Sequence, residues 1–298
     1  MQTGTVAANG IELCYESRGP EDGPAVVFIM GLSAQMVFWP ERLLTAMAEA
    51  GYRVIRFDNR DVGLSTKFRE PIKHKPMVAM ARHFAGLPVS APYNLDDLVG
   101  DTMGLLDALK IDQAHLVGAS MGGMVGQLAA ASHPQRVLSL TSIMSSTNSP
   151  WLPPPSPAAL KTLVAPGVKI NDEDDFIRFG LNMMATLGGT LPQDTDELTA
   201  MYRQSWARGL NPRGVRNQFM AVMATGNFTR RLRTVRCPTT VIHGSADKLV
   251  RPAGGKASAK AIANAKLAMI DGMGHDFPPA AQGEVAGLIL DTVRRAAN

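Results

Sequence analysis

The chain has 298 residues, of which 45% are hydrophobic and 19% charged. That is the composition of a folded soluble protein, large enough for one α/β domain with an inserted subdomain, and it excludes a disordered or low-complexity chain. A formal net charge of +4 with no basic stripe interleaved with aromatics gives no reason to expect nucleic acid as a partner, and no run of eighteen apolar residues predicts a membrane span.

The first ten residues are polar and lack the charged-then-apolar layout of a signal peptide. Residues 11–17 alternate apolar and polar, which predicts a half-buried antiparallel strand. Residues 25–29 (Ala-Val-Val-Phe-Ile) are continuously apolar, as in a strand buried on both faces, and run into the loop Met30-Gly31-Leu32-Ser33. A helix is expected from about Pro40 to Ala50, stopped by Gly51. Residues 53–57 form the next strand, followed by the polar turn Asp58-Asn59-Arg60-Asp61-Val62-Gly63-Leu64-Ser65. The long connection 66–93 carries Lys67, Arg69, Lys73, His74, Lys75, Arg82 and His83 around a short helix at 77–84, and reads as a solvated basic face. A helix from Asn94 or Asp96 to Lys110 leads to a buried strand at 114–117.

That strand ends in Gly118-Ala119-Ser120-Met121-Gly122, and a small-residue helix follows from Met121 to Ala131. Gly-x-Ser-x-Gly between a strand and a helix is the nucleophile-elbow pattern, in which a serine on a strained turn is held clear of the backbone. Gly118 and Gly122 are needed because the turn leaves no room for a Cβ at either place. The glycines do not fit nucleotide-binding patterns: 118, 122 and 123 miss the G-x-G-x-x-G spacing, and residues 254–256 lack the rest of a P-loop.

A strand at 136–144 is followed by a Ser/Pro-rich stretch, then by helical patches at 176–186, 194–208 and 212–224 without strands. The pattern predicts a helical cap, residues 145–233, inserted into a core made of residues 1–144 and 234–298. Strands return at 237–243 and 266–270, separated by a helix at 253–263, and a last helix covers 280–296. Alternation of strands and helices on this scale predicts a mostly parallel sheet flanked by helices.

Three reactive residues each follow a buried strand: Ser120, Asp247 and His275. Such loops line one edge of a parallel sheet, so the three can meet. A serine needs an imidazole to take its proton, and the imidazole needs a carboxylate to fix its orientation. Singly, Asp247 reads as a helix N-cap and His275 as a loop histidine; their chain order behind an elbow serine makes them the acid and the base. Asp271 and Asp276 lie too close to His275 in sequence to support it from behind, and His243 reads as structural. Asp58 and Asp61 are expected to hold their own loop and Arg60. The backbone N–H groups of Leu32 and Met121 are placed to bind an oxyanion, with Gly31 keeping the first loop slim. Cys14 and Cys237 read as buried free thiols, the state of a reducing cytoplasm, and the six histidines show no metal-ligand spacing.

These motifs together, from Met30-Gly31-Leu32 through Asp58 to Ser65, Gly118 to Gly122, Asp247 and Gly274-His275, resemble an α/β-hydrolase-fold serine hydrolase over essentially the full chain. Within that family the chain is similar to capped bacterial carboxylesterases and aclacinomycin methylesterase-like proteins. Met30 stands where many members carry His, and Asp61 where many carry Gly. The resemblance implies an eight-stranded sheet, a capped active site and acyl-enzyme chemistry on Ser120, whereas dehalogenase and epoxide hydrolase relatives carry aspartate there. It implies hydrolysis of carboxylic esters without cofactor; the compact apolar cap predicts short to medium acyl chains, the histidine spacing no metal, and the cysteines a cytoplasmic protein, expected as a monomer or homodimer. Lactone (enol-lactone) hydrolysis, perhydrolysis and non-catalytic small-molecule sensing are the alternatives that the same residues leave open.

Overall fold

The computed structural model describes residues 1–72, 74–164 and 169–296. It opens with a hairpin, β1 (Gln2–Ala8) and β2 (Ile11–Arg18), turned at Asn9-Gly10 with φ of 51° and 77°. Positive φ at both central residues matches the twist of the flanking strands, and Asn-Gly tolerates it best. The polar start, for which no strand is expected from its composition, is thus an edge strand whose side chains are mostly in water.

The remaining elements in chain order are β3 (Ala25–Ile29), α1 (Glu41–Glu49), β4 (Arg53–Phe57), α2 (Pro76–Phe84), α3 (Leu95–Ala108), β5 (Ala114–Ala119), α4 (Met121–Ser132) and β6 (Val137–Ile143). Among the described residues four α-helices then precede the next strand: α5 (Pro157–Val164), α6 (Glu173–Leu187), α7 (Thr195–Ala207) and α8 (Pro212–Thr225). The chain ends with β7 (Thr239–Gly244), α9 (Pro252–Ala261), β8 (Lys266–Ile270) and α10 (Pro279–Arg294). α5 is one helix more than the periodicity of the segment predicts.

The eight strands form one sheet in the order β1-β2-β4-β3-β5-β6-β7-β8. β2 pairs antiparallel with β1 and β4, and every pair from β4 to β8 is parallel. β3 explains how both faces are covered. Val27 and Ile29 pack under α3 and α4 with Leu98, Leu105, Val125 and Leu128. Val26 and Phe28 face the other way, onto Leu43, Leu44 and Met47 of α1 and Val285 and Ile289 of α10. Alternate side chains of a strand point to opposite faces, so a strand between two helical layers must be apolar at every position. Because the chain steps from β3 to β4 on one side and then to β5 on the other, the crevice beyond β3 and β5 is the topological switch point where open α/β sheets bind ligands.

The basic connection is only partly a solvated face. Lys67, Arg69 and Lys75 are exposed, but His83 turns inward from α2 and is buried; Lys73 lies outside the described residues, as do 165–168 of the segment between β6 and β7. Among the described residues no helix is long and apolar enough to cross a membrane.

Three buried histidines give the fold a pH dependence. His115 on β5 lies with Nδ1 2.8 Å from Ser139 Oγ and its ring edge-on to Tyr52; burial pulls its pKa from 6.5 down to about 4. Burial lowers His83 and His243 as well. The unfolded chain therefore takes up these protons first, so stability is full above pH 6.5 and declines as pH falls toward the folded-state values. Each histidine contributes a slope of up to about 1.4 kcal/mol per pH unit in that window. Urea unfolding at pH 7.5, 6.5 and 5.5 should show this loss, and His115→Gln should make it shallower by one proton.

Candidate active site

Ser120 sits between β5 and α4 with φ 54° and ψ −118°, an angle pair that ordinary side chains avoid and that costs roughly 1–3 kcal/mol. The surrounding contacts hold it there. Ser120 N–H donates to Ile143 O at 2.9 Å, and Ser120 O accepts from Met124 N–H and, at 2.8 Å, from the Ser145 hydroxyl. The neighbouring glycines have no spare space. A Cβ at Gly118 would lie 2.2 Å from Gly122 O, and one at Gly122 would lie 1.9 Å from Ile29 O at the end of β3. The elbow is thus squeezed against β3 itself.

From that position the Ser120 hydroxyl meets His275. Ser120 Oγ is 3.0 Å from His275 Nε2, and His275 Nδ1 is 2.8 Å from Asp247 Oδ2. Asp247, almost fully buried, accepts two further hydrogen bonds on Oδ1 from the N–H groups of Leu249 and Val250 at 2.8 and 2.9 Å. These bonds fix the carboxylate's rotamer, and the carboxylate in turn favours the imidazole tautomer with its proton on Nδ1, leaving Nε2 to accept a hydrogen bond from the serine hydroxyl. The three residues follow β5, β7 and β8, and the structure brings them together as the spacing predicts.

The rival acids are engaged elsewhere. Asp271 accepts from the Ser245 hydroxyl at 2.8 Å. Asp276 accepts from Gly274 N–H at 3.0 Å and from Gln193 Nε2 at 2.9 Å, and burial raises its pKa. His243 is buried beneath the acid with Nε2 2.7 Å from Val250 O, and burial favours its neutral form.

The loop after β3 lies against Ser120. A Cβ on Gly31 would be 3.1 Å from Ser120 Cβ and 3.7 Å from Ser120 Oγ. The Met30 carbonyl accepts from Asn59 Nδ2 at 2.9 Å, and Ser33, at φ 66°, donates its N–H to Gln218 Oε1 at 2.8 Å. Among the described residues the amides of Leu32 and Met121 have no hydrogen-bond partner. Met121 N–H also opens α4, whose positive end favours an anion. Among the described residues no three His, Cys, Asp or Glu side chains gather as a metal ion would require.

The turn 58–65 is held in part as its acidic residues suggest, since Asp58 accepts from Leu64 N–H at 2.9 Å and Asp61 from Phe68 N–H at 2.8 Å; the exception is Arg60. Arg60 is held by Asp101 of α3, with two contacts of 2.6 Å, and lies against the rings of Phe68 and Tyr93. Asp58 and Asp61 do not touch Arg60; beyond their own loop they reach the segment between β6 and β7. Asp58 pairs with Arg208, and Asp61 accepts from Tyr93 Oη at 2.6 Å and Asn217 Nδ2 at 2.9 Å. Backbone bonds tie the same segment to the histidine loop: His275 N–H donates to Leu187 O, and Thr190 N–H to Gly272 O. Arg208, Asn217 and Gln218 were not accessible to sequence reasoning, because a lone polar residue on a helical pattern reads as a solvent-facing position, and Gln193 reads as an ordinary loop residue between two helices.

The sheet order, the elbow and the serine–histidine–aspartate geometry are those of a hydrolase built on an α/β scaffold. The family model for the alpha/beta hydrolase fold matches residues 24–278, and the chain belongs to that family. Along 99% of its length it is 29% identical to rhodomycin D methylesterase DauP of Streptomyces sp. (strain C5) and 28% identical to rhodomycin D methylesterase DnrP of Streptomyces peucetius, covering 99% of each. Its fold is similar to the solved enol-lactonase of Burkholderia xenovorans LB400, with a TM-score of 0.70 and 23% identity over 99% of this chain and 100% of that one.

The glycine contacts order two substitutions. Gly122→Ala drives a methyl into the backbone of β3 and should destabilise the protein by about 3 kcal/mol or more, beyond ordinary overpacking. Gly31→Ala meets its neighbours at 3.1 Å and should cost about 1 kcal/mol. Urea titration of both variants beside wild type reads the order; equal stabilities would contradict the packing described.

Proposed function

We propose that this protein is a serine carboxylesterase acting on short to medium acyl esters. The observation that carries the reading is the Ser120–His275–Asp247 relay, with 3.0 and 2.8 Å between successive partners, at the switch-point crevice and beside two unpartnered amides. Ser120 Oγ attacks the ester carbonyl as His275 Nε2 takes its proton. The carbonyl oxygen becomes an oxyanion bound by Leu32 N–H and Met121 N–H, and His275 then protonates the departing alkoxide. Water, deprotonated by His275, attacks the acyl-Ser120 carbonyl and releases the acid and the free serine. Asp247 holds the imidazole and stabilises its cation.

Residues 145–233 act in this reading as a cap whose α8 closes over the crevice. Phe219 and Met220 of α8 form an apolar cluster with Ala79 of α2, and Leu32 and Met223 pack against it. An acyl group seated there would meet apolar, partly methionine-lined surface, which adapts to shape. The two methylesterases that resemble the chain along nearly its full length support an ester as the substrate class.

Hydrolysis of p-nitrophenyl esters from acetate to palmitate should show highest kcat/KM at short to medium chain length. Ser120→Ala should lower it by at least about 10³-fold, the scale on which a triad nucleophile acts. Ser120→Ala retaining more than a few per cent of wild-type activity, or a steady rise of kcat/KM to palmitate, would contradict the reading. Turnover of lactones but no open-chain esters would make the enzyme a lactonase on the same residues.

A further inference from the structure

Gln218 lies in the middle of α8, is fully buried, and spends its carboxamide on two core loops at once. Its Oε1 accepts from Ser33 N–H at 2.8 Å, and its Nε2 donates to Arg60 O at 2.8 Å. Arg60 is itself immobilised by Asp101, so the far end of the clamp is fixed. Ser33 holds a left-handed φ of 66°, a conformation that a serine keeps only where its surroundings demand it. The preceding residue is Leu32, whose side chain packs against the cluster that Phe219 and Met220 of the same helix form with Ala79. Residue 32 is therefore held through its side chain by a cluster to which α8 contributes, and through the amide that follows it by Gln218 of α8. Its own N–H has no partner among the described residues.

We propose that Gln218 is a positioning residue for the oxyanion site: by holding Ser33 in its left-handed conformation it aims the Leu32 N–H at the developing charge. The inference rests on the serine-hydrolase reading of Ser120. Only the φ and ψ of Leu32 separate its N–H from the peptide that Gln218 grips. Without the clamp, Ser33 relaxes toward ordinary backbone angles and turns the Leu32 amide away from Ser120. The cap helix then contributes to catalysis as well as to substrate shape, since the donor is aimed only while α8 is seated.

The test compares Gln218→Leu, which removes both hydrogen bonds, with Gln218→Glu, which keeps an acceptor for Ser33 N–H but replaces the donor to Arg60 O. Both variants should lose stability. Gln218→Leu should lose about 10- to 100-fold in kcat with KM within about twofold, because the interaction matters only when the oxyanion forms. Inhibition by an alkyl boronic acid, which mimics the tetrahedral adduct, should weaken by the same factor as kcat/KM. Gln218→Glu should keep kcat within about fivefold. Gln218→Met substitutes for the leucine variant if that one does not fold.

Folded Gln218→Leu or Gln218→Met with kcat and boronate inhibition within twofold of wild type would overturn the inference, as would equal losses in the glutamate and leucine variants. Labelling of Ser120 by a fluorophosphonate separates the two levels of argument. Wild type that is not labelled overturns the serine-hydrolase reading and this inference with it. Wild type and Gln218→Leu labelled at the same rate overturn this inference alone.

Discussion

A serine fixed at a left-handed backbone angle sets the spacing of everything around it. Ser120 projects from the end of β5 only because the residues two before and two after it are glycines, and the missing atoms are measurable: a Cβ at Gly122 would enter the carbonyl of Ile29. The first turn of α4 therefore lies directly on the last residue of β3. Packing that close brings the loop after β3, with Gly31 and Leu32, alongside the serine. Strain at Ser120 is offset by the hydrophobic cores on both faces of the sheet, where Val26, Phe28, Val27 and Ile29 are fully buried.

The segment between β6 and β7 is joined to the sheet by polar contacts at every loop that matters to the site. Arg208 reaches Asp58 and Gln35, Asn217 reaches Asp61, Gln218 reaches Ser33 and Arg60, and the backbone of Leu187 and Thr190 binds the turn before His275. Buried charges are costly unless paired and hydrogen-bonded, and such pairs add less to stability than to the choice of one arrangement over others. Asp61 shows the principle. It is fully buried, at φ 73°, where a glycine would relieve strain but would leave Asn217 Nδ2, Tyr93 Oη and Phe68 N–H without their acceptor. The departure from glycine at this position is thus tied to the helix that packs over it.

What could be read from the chain alone follows the range of the interactions involved. β3, β5 and the elbow were legible because burial on two faces and a glycine-bounded turn each leave a local pattern. Ser120, Asp247 and His275 were legible because each follows such a strand. The hairpin strand β1 was missed although Asn9-Gly10 marks its turn, because Gln2, Thr3 and Thr5 mask the alternation of an edge strand. Asp58 and Asp61 hold their own loop as expected, but the partner of Arg60 and the long-range partners of both aspartates were not legible, for a deeper reason. Asp58 meets Arg208 across 150 positions and Arg60 meets Asp101 across 41, and no short-range pattern encodes which buried charge finds which.

The choice among neighbouring carboxylates shows how burial assigns roles. Asp276 is next to His275 in the chain, yet both its oxygens are taken by Gly274 N–H and Gln193, and its burial favours the protonated, neutral form. Asp247 keeps one oxygen for the imidazole because its other oxygen is saturated by two amides of its own turn. That turn is closed from below by His243, whose Nε2 bonds the carbonyl of Val250 while Val250 N–H bonds Asp247. A cationic His243, 3.5 Å from Asp247 Oδ2, would compete with His275 for the negative charge. Desolvation holds His243 neutral, so the charge on Asp247 remains directed at the one imidazole that faces the serine.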